Sequence, residues 1–570
     1  MSAAAVTAGP ASSRAIRLPR PQRPRLWAFG AYLVLGLLSA GWYALSDPSS
    51  TCACIGNADP ATYMWALEWW PHALLHGLNP FVTHYLWAPT GANVARAATI
   101  PAAALVLSPI TALFGPVVAY NVLSIASPIL AAFTAYLLCR RIVARELPAF
   151  VGGLLFGFGA YQFTQLVGHP NLTLVFLVPV AVHLALRRAD REISRRAFVG
   201  WLAALLVLQV GLSTEVLATG VVLGGVMLVA AYLLAPSPYR SRIGSLIVEV
   251  LGAGLLAVIV TSPFLYYALV SGSFPQGPAQ ISDALGLDLL NPIFPTRASW
   301  FNHDFQALGL TFEGGNIAEA DGYLSVPIIL AFVLWLVGTR RRFLARMLLV
   351  AAVISFVAAL GSHLHVAGMQ TISLPYNWVR NLPVVDFITP SRIIMYTTLA
   401  VAIGVADWLA DRSGRTAARW LLVGLGLLLL VPNIPSEYWG TPPDNPSFFT
   451  TSTYRRFLVP GETALVLPYG ANENSMLWQA ETDFAFRMPE GYLGNSAPPE
   501  FANQVIPNQL GGSMPVDPHA LLAFLQRYHV RDVIVYGASA QRYVATLLSF
   551  GLTAQQAGGV TIVHIPPSAV

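Results

Sequence analysis

The residues best suited to chemistry lie at the margins of apolar runs. Asp59 follows the first such run and opens the stretch Asn57-Ala-Asp59-Pro60-Ala-Thr62-Tyr63-Met-Trp65-Ala-Leu-Glu68-Trp69-Trp70. Apolar residues recur there at helical spacing with three tryptophans, the pattern of a helix lying at a membrane surface. A carboxylate in that place can take a proton from a hydroxyl. It can equally cap the helix, because Pro60 suits the first helical position. Glu215, in Ser213-Thr214-Glu215, lies between two apolar runs. A carboxylate near hydrocarbon is expensive, so it is functional or paired, or else a plain helix-turn residue. His169, in Gly168-His169-Pro170-Asn171, can orient either acid or simply end a helix. Arg392 closes Thr389-Pro390-Ser391-Arg392 just before an apolar run. An arginine there fits an anionic partner such as a phosphate, or snorkels to headgroups. His84, in the loop after Asp59, and Asp321, just before the run that starts at Tyr323, are further candidate substrate-binding residues.

The elements that hold these residues are membrane helices. Of 570 residues, 55% are hydrophobic and 10% charged, with a mean hydropathy of +0.59. A soluble domain carries about 25% charged residues, so much of this chain never meets water. The net charge of +5, with Arg far ahead of Lys, sits in short clusters between apolar runs. It reads as topology and excludes a nucleic-acid surface. Of the three cysteines, Cys52 and Cys54 are too close for a routine disulfide. With no second Cys/His pair they make a weak metal site, and they read as small residues at a helix end.

Apolar runs fall near 27–46, 99–116, 117–139, 148–165, 171–186, 197–213, 216–234, 245–270, 323–338, 346–360, 393–410 and 419–433. The six basic clusters all face the cytoplasm if 99–139 crosses once, with the proline-bearing run 99–116 re-entrant or juxtamembrane; this gives about eleven crossings. The sequence thus predicts a basic cytoplasmic N-terminus over 1–26 and a helical membrane part over 27–433 with outer loops 47–98, 271–322 and 361–391. A small extracytoplasmic α/β domain over 434–570 follows, after a linker containing Pro435, Pro442, Pro443 and Pro446. That domain has no carboxylate cluster beside a histidine, so it is expected to help bind an acceptor or partner and not to carry a catalytic base.

Asp59, together with Asn79-Pro80, Pro89-Thr-Gly91-Ala-Asn93, Gly168-His169, Leu374-Pro375-Tyr376 and Pro390-Ser391-Arg392, resembles the GT-C superfamily of membrane glycosyltransferases, over about residues 27–433. In that superfamily an acid follows the first spanning helix, in an outer loop with juxtamembrane helices; Asp59 matches it. The resemblance implies an enzyme of the inner (plasma) membrane. It would move a hexose or pentose from a polyprenyl-phosphate donor to a glycan, lipid or protein acceptor in the cell envelope. Asp59 is then the leading base, Glu215 the second, His169 an orienting group and Arg392 the phosphate partner. The superfamily often has two acids in this motif, whereas Asn57 stands in the first place here. That weighs against a bound divalent cation, and no other cofactor is implied. Two rival readings are a transporter or flippase of a lipid-linked glycan, and a structural membrane protein whose C-terminal domain binds a partner. A transporter needs charge along helix middles, whereas the candidate charges here gather at helix ends.

Overall fold

The computed structural model describes residues 23–54, 58–271, 285–312, 316–382, 385, 388–412, 414, 416–434, 443–470, 474–493, 497–502, 505–511, 515–538 and 541–566. The basic segment through Arg20, Asn57, Glu313, Asp386 and the prolines Pro435 and Pro442 lie outside the described residues.

The chain is mainly helical up to residue 429. Its helices are α1 (Arg23–Ser39), α2 (Ala58–Leu75), α3 (Pro101–Phe114), α4 (Pro116–Val143), α5 (Glu146–Gly157), α6 (Ala160–Leu166), α7 (Pro170–Thr173), α8 (Leu177–Ala189), α9 (Arg195–Val210), α10 (Thr214–Leu234), α11 (Ser237–Leu265), α12 (Gln306–Phe312), α13 (Val326–Thr339), α14 (Phe343–Ala359), α15 (Ile394–Ala410) and α16 (Thr416–Leu429). Among the described residues, six helical stretches are long and apolar enough to cross a membrane: Pro116–Val143, Glu146–Leu166, Pro170–Ala189, Thr214–Leu234, Tyr239–Val270 and Pro390–Ala410. Five shorter apolar helices accompany them, α3 included. α3, α13 and α16, 14 residues each, reach about 21 Å at 1.5 Å per residue, short of a ~30 Å hydrocarbon core.

Burial sorts these helices into a centre and a rim. The Pro390–Ala410 stretch is 83% buried and Thr214–Leu234 only 11%. Both are apolar all round, so the first is a core helix while the second turns Val221, Val222 and Val229 outward, where only lipid is a compatible solvent. Glycine lets α5 reach the centre: a Cβ at Gly153 or Gly157 would run into the backbone of Ala132 on α4. Small residues at such seams let helix backbones approach closely. Two carboxylates lie inside apolar runs: Asp407, in the last turn of α15, and Glu249 of α11, which accepts from Arg188 Nε and Nη2, each at 2.7 Å, and so ties α8 to α11.

Short strands occur in the loops: β1 (Val82–Thr83) pairs antiparallel with β2 (Ala92–Asn93), and β3 (His363–Val366) with β4 (Met369–Ser373). Beyond residue 443 lies a four-stranded sheet of β5 (Thr463–Leu467), β6 (Val530–Val535), β7 (Ala554–Ala557) and β8 (Val560–His564), in the order β5-β6-β8-β7. β5 and β6 are parallel and the other pairs antiparallel. This sheet does not stand apart. Trp65, Trp69 and Trp70 of α2 and Leu86 and Trp87 of the first loop share one continuous core with Phe448, Trp478, Phe484, Met488 and the strands. Polar pins run along the same seam: Trp65 Nε1 donates to Gln479 Oε1 at 2.8 Å, and the Trp87 and Ala88 N–H groups donate to the carbonyls of Glu490 and Met488 at 2.9 and 2.8 Å.

The expectation for Cys52 and Cys54 is corrected here: they form a buried disulfide. Asn121 of α4 bends the loop so that the two Cα atoms stand 5.2 Å apart, inside the disulfide range. Its Oδ1 accepts from Ala53 N at 3.0 Å, and its Nδ2 donates to the carbonyls of Pro48 and Thr51 at 2.9 and 2.8 Å.

Candidate functional site

Five segment starts converge at one end of the bundle, and each has a local reason for starting where it does. Asp59 lies in the first turn of α2, one residue inside it rather than at its cap. A carboxylate there is favoured by the helix dipole. His169 immediately precedes α7, whose first residue is Pro170. Ser213 caps α10 by accepting from Val216 N at 3.3 Å, which sets Glu215 in the first turn. Asn316 caps the turn Ile317–Glu319, its Oδ1 accepting from Ala318 N at 3.0 Å. Pro390 opens the turn Pro390–Ile393 that carries Arg392 into α15. The arginine-rich contacts occupy the other end of α15, where Arg342 donates to Asp407 at 2.6 Å and Arg419 to Asp411 at 3.2 Å.

Two linked clusters result. In the first, Asp59 Oδ2 lies 3.6 Å from His169 Nε2, and the side chain of Tyr492, from the C-terminal segment, hydrogen-bonds to the same carboxylate. His169 Nδ1 meets Gln165 Oε1 at 3.0 Å, and Gln165 Nε2 donates to Ala318 O at 2.7 Å and to Asp321 Oδ2 at 3.1 Å. In the second, Arg392 donates to Glu319 from Nε at 3.1 Å and from Nη2 at 2.5 Å, and to Glu215 Oε2 from Nη1 at 2.7 Å. Ser391 Oγ donates to Glu319 at 3.0 Å, and Thr389 N to Glu215 Oε1 at 3.1 Å.

The electrostatics follow from these contacts. Burial pushes the Asp59 carboxyl up, but the hydrogen bond and charge of His169, aided by Tyr492 and Arg392, outweigh it and hold the group below its usual range. Glu319 is also pushed up by burial, and the Arg392 guanidinium wins and holds it low. Asp321 goes the other way: burial, reinforced by the Glu319 charge, raises it well above the carboxylate range. So Asp59 is an ionised carboxylate with a histidine at its side.

Asp59, His169 and Asp321 thus fall in one cluster, and Glu215 and Arg392 in the other. His84 does not join them: its exposed ring stays with its own loop, where Nδ1 meets the Pro89 carbonyl at 3.3 Å. The snorkelling reading of Arg392 is corrected: although it stands at a helix end, it is only 9% exposed and clamped by two carboxylates. Sequence reasoning put Glu319 beside Asp321 among the acids ahead of Tyr323 but gave it no role, and it missed two members. Gln165 carried a signal, an amide inside an apolar run four residues ahead of His169. Tyr492 carried none, since its place depends on how the C-terminal segment docks. Among the described residues no group of three His, Cys, Asp or Glu is gathered so as to hold a metal ion.

No curated protein matches the chain. Its fold is similar to that of the arabinofuranosyltransferase AftD from Mycobacteria, with a TM-score of 0.59 and 12% identity, covering 96% of this chain and 40% of that one. The chain therefore spans well under half of that enzyme. The Archaeoglobus fulgidus oligosaccharyltransferase aligns with a TM-score of 0.52 and 13% identity over 92% of this chain and 71% of that one. The archaeal oligosaccharyltransferase AglB, solved with an inhibitory peptide and a dolichol-phosphate, aligns with a TM-score of 0.50 and 13% identity over 96% of this chain and 74% of that one. At these identities the likeness is one of fold alone. Residues 28–431 match the family model described as "Domain of unknown function (DUF6311)", and the chain belongs to that family.

Proposed function

We propose that this protein is a glycosyltransferase that moves a sugar from a polyprenyl-phosphate donor to a glycan, lipid or protein acceptor on the extracytoplasmic face of the plasma membrane. The observation that carries the reading is Asp59: an ionised carboxylate beside His169, at the start of a Trp-rich helix, on a GT-C-like fold. Asp59 takes the proton of the acceptor nucleophile as that atom attacks the sugar carbon. The sugar–phosphate bond breaks with its electron pair passing to the phosphate, which stays with its lipid. Arg392 uses three of its five N–H donors on Glu319 and Glu215. The remaining two are proposed to meet the phosphate as its charge grows. The fold likeness to AglB, whose structure holds a peptide and a dolichol-phosphate, supports a lipid donor.

The orientation belongs to the same reading. The arginine clusters favour the cytoplasm, which places Asp59 and the C-terminal segment outside. A reporter fused after Val570 that is active only in the cytoplasm would overturn it. The decisive assay incubates purified protein with a panel of polyprenyl-phosphate sugars and measures released polyprenyl phosphate. Release that depends on Asp59 is expected; no release across the panel would refute the donor class.

A further inference from the structure

The hydrogen bonds behind Asp59 fix more than its neighbour's position. Ala318 O is a carbonyl oxygen and can only accept. The Gln165 side-chain atom 2.7 Å from it is therefore the amide nitrogen, which also lies 3.1 Å from Asp321 Oδ2. That orientation leaves the amide oxygen facing His169 Nδ1 at 3.0 Å. The amide oxygen carries no hydrogen, so the shared proton must belong to Nδ1, whether the ring is neutral or charged. Nε2, on the opposite side of the ring, is the atom turned to Asp59 Oδ2, 3.6 Å away. Gln165 is fully buried near the end of α6, and His169 follows it by four residues, so the pair is one helical turn apart.

We propose that Gln165 is a positioning residue that locks His169 as its Nδ1–H tautomer, leaving Nε2 as the single ring atom that exchanges a proton with Asp59. This rests on the reading of Asp59 as the base. In the transfer, the acceptor's proton passes to Asp59, the new bond forms between acceptor and sugar, and the old bond's electron pair leaves with the lipid phosphate. The Nε2 lone pair of neutral His169 then takes the proton from Asp59; the resulting imidazolium, the form whose charge holds the restored carboxylate low, gives its Nε2 proton to water before the next turnover. With the other tautomer, an N–H would face Asp59 and no lone pair would be there to receive the proton.

The tautomer is measurable without any substrate. The full chain, with ring-15N-labelled histidine in detergent micelles, is studied by 15N–1H correlation spectra on the alkaline side, where the rings are neutral. His169 signals are those missing from a His169→Asn sample. In wild type, His169 is expected to carry its proton on Nδ1, the reverse of free neutral histidine. Gln165→Leu, which removes the acceptor, is expected to shift it to Nε2–H, while Gln165→Glu keeps an acceptor and keeps Nδ1–H. Turnover of Gln165→Leu is expected to fall on the order of 10²-fold with donor KM unchanged. A wild-type His169 protonated on Nε2, or an unchanged tautomer in Gln165→Leu, overturns the proposal. The wild-type spectrum decides even where the leucine variant fails to fold. Full transfer by an Asp59→Asn protein would instead overturn the base assignment and leave the tautomer result standing.

Discussion

At the scale of single residues, Asp59 and Arg392 do opposite kinds of work. Asp59 keeps a quarter of its side chain exposed and can meet a substrate, with a partner on either side. Asp59→Asn preserves the shape and the Tyr492 contact but removes the proton acceptor, so transfer should fall about 10²–10⁴-fold with folding intact. A folded Asp59→Asn protein that binds donor and transfers at the wild-type rate would leave the base to Glu215. The Asp59 carboxyl is held below its ordinary 3.8. Any stability it lends is therefore present above that value and lost only as pH falls through the lower folded value. The acid limb of the transfer profile that this group causes should likewise lie below pH 3.8. Arg392 is buried between Glu319 and Glu215. Arg392→Ala strands both carboxylates, and removing one partner of a buried pair typically costs about 3–5 kcal/mol. Thermal unfolding in micelles should show a large loss, whatever happens to donor affinity. An unfolding temperature like that of wild type would show the clamp to be dispensable.

At the scale of elements, the α4–α5 seam holds the frame of the site. α4 carries Asn121, which shapes the loop ahead of α2, and α5 leads into α6 with Gln165. Since a Cβ at Gly157 would meet the Ala132 backbone, Gly157→Ala should destabilise by about 1–3 kcal/mol, the range for overpacking. Gly224 of α10 has open space around it. Gly224→Ala should be neutral or slightly stabilising, because alanine is the better helix former. Paired thermal denaturation curves test the contrast, and equal effects at the two positions would remove the close-packing argument.

At the scale of the whole molecule, the C-terminal segment is built into the first loop. A chain ending at residue 434 would expose the Trp65 and Trp69 face of α2 and lose Tyr492 from the carboxylate. Such a chain is expected to lose transfer, with increased proteolysis of the 58–98 region; wild-type transfer by it would show the seam to be ornamental. The seam should also respond to pH. Glu490 is fully buried, its carboxylate accepting from Val466 N at 2.9 Å and Gly470 N at 3.0 Å. Burial pushes it from 4.5 up to about 8. Glu68 in α2 rises to about 7, through burial and then the charges of Asp483 and Glu481. A carboxyl raised on folding favours the folded state while protonated. Its contribution is complete below pH 4.5 and is lost as pH rises through about 8 for Glu490. Hydrogen exchange in β5 and in the strand-flanking loop 485–493 should therefore quicken from pH 5 to 9, after correction for intrinsic rates, and Glu490→Gln should flatten much of that rise. A flat wild-type profile would contradict it.

What the sequence determined by itself was the membrane character of the chain, because apolar runs of spanning length and a deficit of charge are local properties. The polar candidates at run margins were legible for the same reason: Asp59, His169, Glu215 and Arg392 each stand where a helix begins. Tertiary structure decided who meets whom. It divided these residues between the Asp59–His169–Gln165–Asp321 cluster and the Glu319–Arg392–Glu215 clamp, left His84 in its own loop, and closed Cys52 onto Cys54 through a bend set by Asn121. It also brought Tyr492 to Asp59, across more than 400 positions of chain. Hydrophobic periodicity reports which face of a helix is buried, but not which helix buries it. Pairings between distant segments are fixed only when those faces pack, so the arginine's partners and the tyrosine's place could be read only from the folded chain.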